Sequence, residues 1–236
     1  MRTFQAKRGV LGPPFLCYNI NNSISHKPKV MSKRTMIYGI GINDADYLVK
    51  PRIEGTNKRM SCPFYLRWKE MLRRCYSEKE HLRNPTYKDC EVVEEWKYFS
   101  NFKSWMENQD WEGKHLDKDI LVPGNKTYGP NTCIFVEDKI NLLLVKCDIR
   151  RGKYPLGVSP AVRGDKIYYQ SHMGRNYLGF FDNILEAHRS WQIEKCNHIK
   201  QVASNQNNLV LKNALMEISN NILKDYQEGK ETIDYS

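Results

Sequence analysis

The stretch LGVSPAVRGDKIYYQSHMGRNYLGFFDNILEAHRSWQIEK, residues 156–195, decides how the chain is read. Three β-prone runs, 156–162, 167–172 and 177–181, are separated by Gly164-Asp165 and Gly174-Arg175. Glycine in such dipeptides suits tight hairpin turns, because it accepts positive φ without steric cost. A helix is predicted from Asn183 to about Val202, with Leu185, His188, Trp191, Ile193, Cys196 and Ile199 near helical spacing. Three antiparallel strands and one helix make an α+β module whose sheet has one covered and one wet face. For the wet face the strands and turns offer Arg163, Lys166, Tyr168, Gln170, His172, Arg175 and Tyr177. A ribbon of two or three strands fits a DNA major groove, which is about 12 Å wide. The competing reading is an ordinary polar sheet face.

Gly157-Val158-Ser159, Tyr177-Leu178-Gly179-Phe180-Phe181 and Glu186-Ala187-His188, with a helix ending near Lys195, resemble the Apetala-2/ethylene-response-factor DNA-binding domain. The resemblance covers residues 154–203. It implies that the sheet enters the major groove, with Leu178, Phe180, Ala187 and Trp191 in the core. The DNA-facing set is then drawn from Arg163, Lys166, Tyr168, Gln170 and Arg175. This sheet carries fewer Arg and Trp than the plant domains.

The totals agree with a polyanionic partner. The 236 residues hold 37 Lys and Arg against 27 Asp and Glu, a net charge of +10. Each phosphate that a cation neutralises releases condensed counterions, which drives binding. Residues 1–60 carry much of the excess, eleven Lys and Arg against Asp44, Asp46 and Glu54. The first 35 residues read as a basic, loosely structured arm, and Met31 and Met36 are alternative starts. The seven cysteines include no C-x-x-C pair, which suits free thiols in a reducing, cytoplasmic compartment. No run reaches the length of a membrane span, and Pro13 and Pro14 break the only candidate leader. No membrane partner is expected.

Upstream of residue 150 the pattern is again mixed. Phe64, Trp68, Met71, Leu72 and Cys75 form a helical stripe after Pro63, with Lys69, Arg73 and Arg74 off it. Phe99, Phe102, Trp105 and Met106 form a second, with Ser100 or Asn101 as cap. Residues 115–122 and 133–136 read as strands on either side of a loop, and 137–145 as a helix. The basic segment 150–153 is a linker, 209–226 is a last amphipathic helix, and the end beyond it reads as polar and frayed. The expected organisation is an arm (1–35), a central α+β domain (36–149), the sheet module (153–204) and a C-terminal helix and tail (207–236).

The central unit resembles the HNH, or His-Me finger, nucleases, in which two strands, a loop and a helix grip one divalent cation. Leu116-Asp117-Lys118-Asp119-Ile120, Gly124-Asn125, Tyr128, the run from Pro130 to Val136, and Asn141 carry the likeness. With Tyr65, Trp68, Met71, Leu72, Arg74, Cys75 and Tyr76, they look like phage and prophage proteins of homing-endonuclease type, which often end in an Apetala-2-like module. The resemblance implies a degenerate ββα unit with Asp117 as a metal-binding and catalytic residue, Asn131 as the brace and Asn141 as the helix ligand. Lys118 stands where the general base histidine belongs, and a lysine near its ordinary pKa of ~10.4 neither accepts a proton at neutral pH nor tolerates a metal. Either His115, two residues from Asp117 on one strand face, serves as base, with Asp119 as a second carboxylate ligand, or the site is inactive. The cofactor implied is Mg²⁺ or another divalent cation. Cys62, Cys75, Cys90 and Cys133 match no zinc-knuckle spacing, so free buried thiols are preferred to structural zinc.

The resemblances together imply a phage-type protein that binds double-stranded DNA, with an HNH-like endonuclease that nicks or cuts it if active. The alternatives are a catalytically inactive DNA-binding or regulatory factor on the same scaffold, and a phage accessory protein that binds a host protein.

Overall fold

The computed structural model describes residues 36–145 and 152–235. The expected arm and residues 150 and 151 of the linker lie outside these residues. The fold is mixed α+β, with six α-helices and a three-stranded antiparallel sheet among the described residues.

The first half is built on α1 (Pro63–Tyr76), α2 (Glu78–Arg83) and α3 (Phe99–Glu107), with short strands β1 (Glu91–Val92), β2 (His115–Asp117), β3 (Thr127–Tyr128) and β4 (Ile134–Val136), then α4 (Asp138–Leu143). The two aromatic stripes meet as the spacing predicts. Trp68, Phe99, Phe102 and Trp96 are buried, and the Trp68 indole donates to the Trp96 carbonyl at 2.7 Å. That bond matters because a buried indole N–H without an acceptor costs more than the bond contributes. The capping of α3 differs from expectation. Tyr98 is its N-cap residue, and Ser100 turns instead to Asp44, donating through its backbone N–H (2.8 Å) and its hydroxyl (2.5 Å).

β2 and β4 pair antiparallel, and β1 pairs with β3 in parallel. β4 divides two cores. Phe135 faces the Trp68 cluster, while its neighbours Ile134 and Val136 join Ile120, Ile140 and Leu143 in a second cluster. Strand alternation thus lets one three-residue segment serve both sides.

The second half follows the expected order closely. β5 (Val158–Arg163), β6 (Lys166–Met173) and β7 (Asn176–Phe181) form the sheet in sequence order, and α5 (Ile184–Ser204) and α6 (Leu209–Gln227) follow. Asn183 caps α5, its side-chain oxygen accepting from the N–H groups of Leu185 (2.7 Å) and Glu186 (3.4 Å). Val158 and Ser171 are buried on the helix side of the sheet. Trp191, Cys196, Ile199 and Ala203 of α5 belong to the second cluster, together with Leu211, Leu215, Ile218 and Ile222 of α6. This cluster therefore draws on both sides of the 150–153 segment. Across it, Lys195 Nζ donates to the Leu143 carbonyl.

Two expectations are corrected. Phe180 is not in the core: pairing sets it opposite Gln170, and its ring stacks on Tyr168 with centroids 4.9 Å apart, on the face away from α5. The chain end is not frayed either. Gln192 donates to the Lys230 carbonyl (3.0 Å) and to the Thr232 hydroxyl (2.9 Å), and the Thr232 N–H donates to His188 Nε2 (3.0 Å). Thr232 and Tyr235 are buried as a result. A polar tail looks frayed in sequence because its partners, His188 and Gln192, are themselves polar residues on a helix.

Gly157 is the tightest point. Its φ is +76°, and a Cβ there would lie 2.0 Å from Trp191 Cδ1. Gly157→Ala combines the left-handed penalty of about 1–2 kcal/mol with overpacking of about 1–3 kcal/mol. Urea denaturation is expected to show a loss of about 2–5 kcal/mol.

Candidate functional site

Two places carry the candidate residues. The first is the loop between β2 and β4. The expected strand over 115–122 stops at Asp117, because the Asp117 carboxylate accepts the N–H groups of Asp119 and Ile120 at 2.8 Å each and bends the chain. Burial pushes the Asp117 carboxyl above its ordinary range, and these two backbone bonds oppose that shift. His115 shares a strand face with Asp117 by spacing, but its Nε2 lies 2.5 Å from Asp138 Oδ1, at the start of α4. Asn131 is exposed on the turn before β4, and Asn141 is exposed on α4.

Lys118 organises this loop. Its side chain is only 6% exposed. Its Nζ donates to Asp119 Oδ1 (2.5 Å) and to the Asn125 carbonyl (2.8 Å), and lies 5.9 Å from the centre of the Tyr128 ring. Asn125, which is not among the expected site residues, makes the bracing bonds. Its Nδ2 donates to the carbonyls of Lys118 (2.8 Å) and Thr127 (2.7 Å), and its Oδ1 accepts from the Thr127 N–H (3.1 Å). The sequence signal was the Gly124-Asn125 turn: asparagine offers both a donor and an acceptor to nearby backbone.

These residues do not fit a divalent cation. One of the two candidate carboxylates already holds an internal ammonium, and the other holds two backbone N–H groups. Among the described residues, no group of three or more His, Cys, Asp or Glu side chains is placed to share a metal. Cys75, Cys90 and Cys133 are buried free thiols, and burial pushes Cys75 and Cys133 up to about 12. Cys62 lies apart from them, half-buried, with its Sγ 3.5 Å from the Tyr47 hydroxyl.

The second place is the outer face of the β5–β6–β7 sheet. Cross-strand pairing puts Arg163 opposite Lys166, Ala161 opposite Tyr168, and Ser159 and Phe180 on either side of Gln170. Paired residues point to one face, so this row alternates with the buried Val158–Ser171 row. The Arg163 guanidinium carbon sits 4.2 Å from the Phe180 ring centre, which fixes a long cation over a flat platform. His172 and Tyr177 extend the row with ring centroids 5.4 Å apart, and Gln170 Oε1 is 3.4 Å from His172 Nε2. Arg175 stands exposed on the β6–β7 turn, at the far end from Arg163. None of the three strands contains an acidic residue. Four of the five candidate contacts, Arg163, Lys166, Tyr168 and Gln170, thus share one face, and Arg175 edges it. Phe180 and His172 complete it.

No family model matches the chain, and neither a curated protein nor a solved structure is significantly similar to it. No helix among the described residues is long and apolar enough to cross a membrane.

Replacing Lys118 with methionine keeps the stem and removes the ammonium. Hydrogen bonds to charged groups are worth about 1.5–3 kcal/mol, and breaking buried pairs costs more. Chemical denaturation of Lys118→Met is expected to show a loss of roughly 2–4 kcal/mol. The wild-type melting temperature is expected to be the same in Mg²⁺, in Mn²⁺ and in chelator.

Proposed function

We propose that this protein binds double-stranded DNA through the outer face of the β5–β6–β7 sheet, without cutting it. The observation that carries this reading is the face itself. It combines Arg163 and Lys166 at one end, Arg175 at the other, and Tyr168, Gln170, His172 and Phe180 between, with no carboxylate in the strands. At about 3.3 Å per residue, the eight residues of β6 extend for about 26 Å, enough to follow several base pairs. The end cations Lys166 and Arg175 suit phosphates, which position the sheet. Gln170 and Arg163 are the side chains able to read base edges, glutamine to adenine and arginine to guanine.

The order β2, loop, β4, α4 supports reading the central unit as a degenerate HNH-like ββα element, and with it a phage homing-endonuclease ancestry. The chemistry of the loop favours the catalytically inactive alternative over a nuclease that cuts DNA. His115 engages Asp138, Lys118 engages Asp119, and the side chains proposed as brace and helix ligand, Asn131 and Asn141, face outward. This supports reading the loop as one whose candidate base, carboxylates and brace serve other partners. The central unit then serves as scaffold, and the sheet does the work.

Gel-shift titration with a mixed-sequence duplex checks this. Arg163→Ala with Arg175→Ala is expected to weaken binding about tenfold or more, since each lost cation contact costs counterion release. The wild type is expected to leave supercoiled plasmid intact in Mg²⁺ or Mn²⁺. Unchanged affinity in the double variant overturns the sheet as the reader, and a metal-dependent nick overturns the non-catalytic assignment.

A further inference from the structure

A second basic element stands apart from the sheet. Residues 49–62 fold into a ribbon joined by backbone bonds: Cys62 N–H to the Val49 carbonyl (2.9 Å), Met60 to Pro51 (3.0 Å) and Ile53 to Lys58 (2.9 Å). Thr56 closes the turn, its hydroxyl donating to the Ile53 carbonyl (3.0 Å) and accepting the Lys58 N–H (3.1 Å). All nine residues from 52 to 60 are exposed. Val49 and Cys62 anchor its base on the first core, but the strands beyond them bury no apolar face, and such a ribbon is marginal by itself.

Its charge is one-sided. Lys50, Arg52, Lys58 and Arg59 face a single acid, Glu54, and no other Asp or Glu lies between Asp46 and Glu70. Arg52 and Arg59 sit directly opposite each other across an antiparallel bridge. Like charges so placed repel, where an opposite-charge pair would stabilise. Arg59 Nη1 reaches the Lys50 carbonyl at 3.4 Å, and among the described residues no carboxylate pairs with Arg52, Lys58 or Arg59. A closely spaced anion between the two guanidiniums turns this repulsion into attraction. Guanidinium forks match phosphate oxygens, and the phosphates of duplex DNA come as a regular row of such anions.

We infer that the ribbon of residues 51–60 is a second DNA contact, which grips the phosphate backbone through Arg52 and Arg59 independently of the sheet. This rests on the DNA-binding reading above. The ribbon adds affinity without sequence preference, since it offers cations and no array of base-reading side chains.

The test is fluorescence anisotropy of the full chain on a labelled mixed-sequence duplex, over a series of salt concentrations. The variants are Arg52→Gln with Arg59→Gln, the charge-keeping Arg52→Lys with Arg59→Lys, and Arg163→Ala with Arg175→Ala. Removing two phosphate contacts is expected to reduce the slope of log Kd against log salt by about 2, and to weaken binding at least about fivefold at low salt. The lysine pair is expected to keep the wild-type slope. Melting temperatures are expected not to fall, because the ribbon is exposed and the substituted pair is a repulsive one. An unchanged slope and Kd in the glutamine pair overturns the ribbon as a contact, whatever the sheet variant does. Loss in the glutamine pair with wild-type binding in the sheet variant leaves the ribbon standing and overturns the sheet. A wild type that shows no salt-dependent DNA binding overturns both.

Discussion

The burial of α5 on two sides is the constraint on which the second half of the fold depends. One side of the helix takes the sheet; the other takes β4, α4 and α6. Trp191 stands at the junction. It covers Gly157 where only a hydrogen fits, stacks on His188 at 5.4 Å between ring centres, and meets Tyr235 of the chain end at 5.9 Å. His188 in turn links the carbonyl of Leu156 (2.9 Å) to the N–H of Thr232 (3.0 Å), tying the entry of the sheet to the tail. A helix enclosed in this way holds the inner face of β5–β6–β7 fixed. The outer face is left to the solvent, with its cations and rings already positioned by Phe180 and Tyr168.

The central loop obeys a different logic. A metal would collect carboxylates and leave positions open for water or substrate. Here an ammonium from the chain itself does the collecting, and its hydrogen bonds go to Asp119 and the Asn125 carbonyl. A lysine in such a place stabilises a loop by tying its two ends together. The other polar groups of the loop likewise turn to their neighbours: His115 to Asp138, Asp117 to the backbone. β4 and α4 beside this loop share the second core with the helices that follow the sheet.

The parts of the fold that were legible in the sequence were those with a clear local signal. The β-prone runs of 156–181, punctuated by Gly164 and Gly174, mark three strands. The helical stripes around Trp68, Phe102 and Trp191 mark three helices. The parts that were not legible depend on partners distant in sequence. β1 and β3 are two residues each and pair across a gap of 36 residues, Glu91 with Thr127, so neither shows a period. Residues 118–122 alternate like a strand, but Asp117 captures their backbone. Phe180 is as apolar as Phe181, and only the register opposite Gln170 shows that it faces outward. The four wet-face candidates that share a side were legible because alternation fixes sides. The loop candidates were chosen by motif position, which says nothing of where a side chain turns.

The central claim is that duplex DNA lies on the outer face of the sheet. Hydrogen–deuterium exchange of the full chain, with and without a saturating duplex, tests it most directly. The account predicts added protection in peptides spanning β5 to β7, greatest over residues 163–170 and 175–180, while the peptides of α4 and the β2–β4 loop stay unchanged. Protection centred on the β2–β4 loop and α4, with none over the sheet, would contradict it.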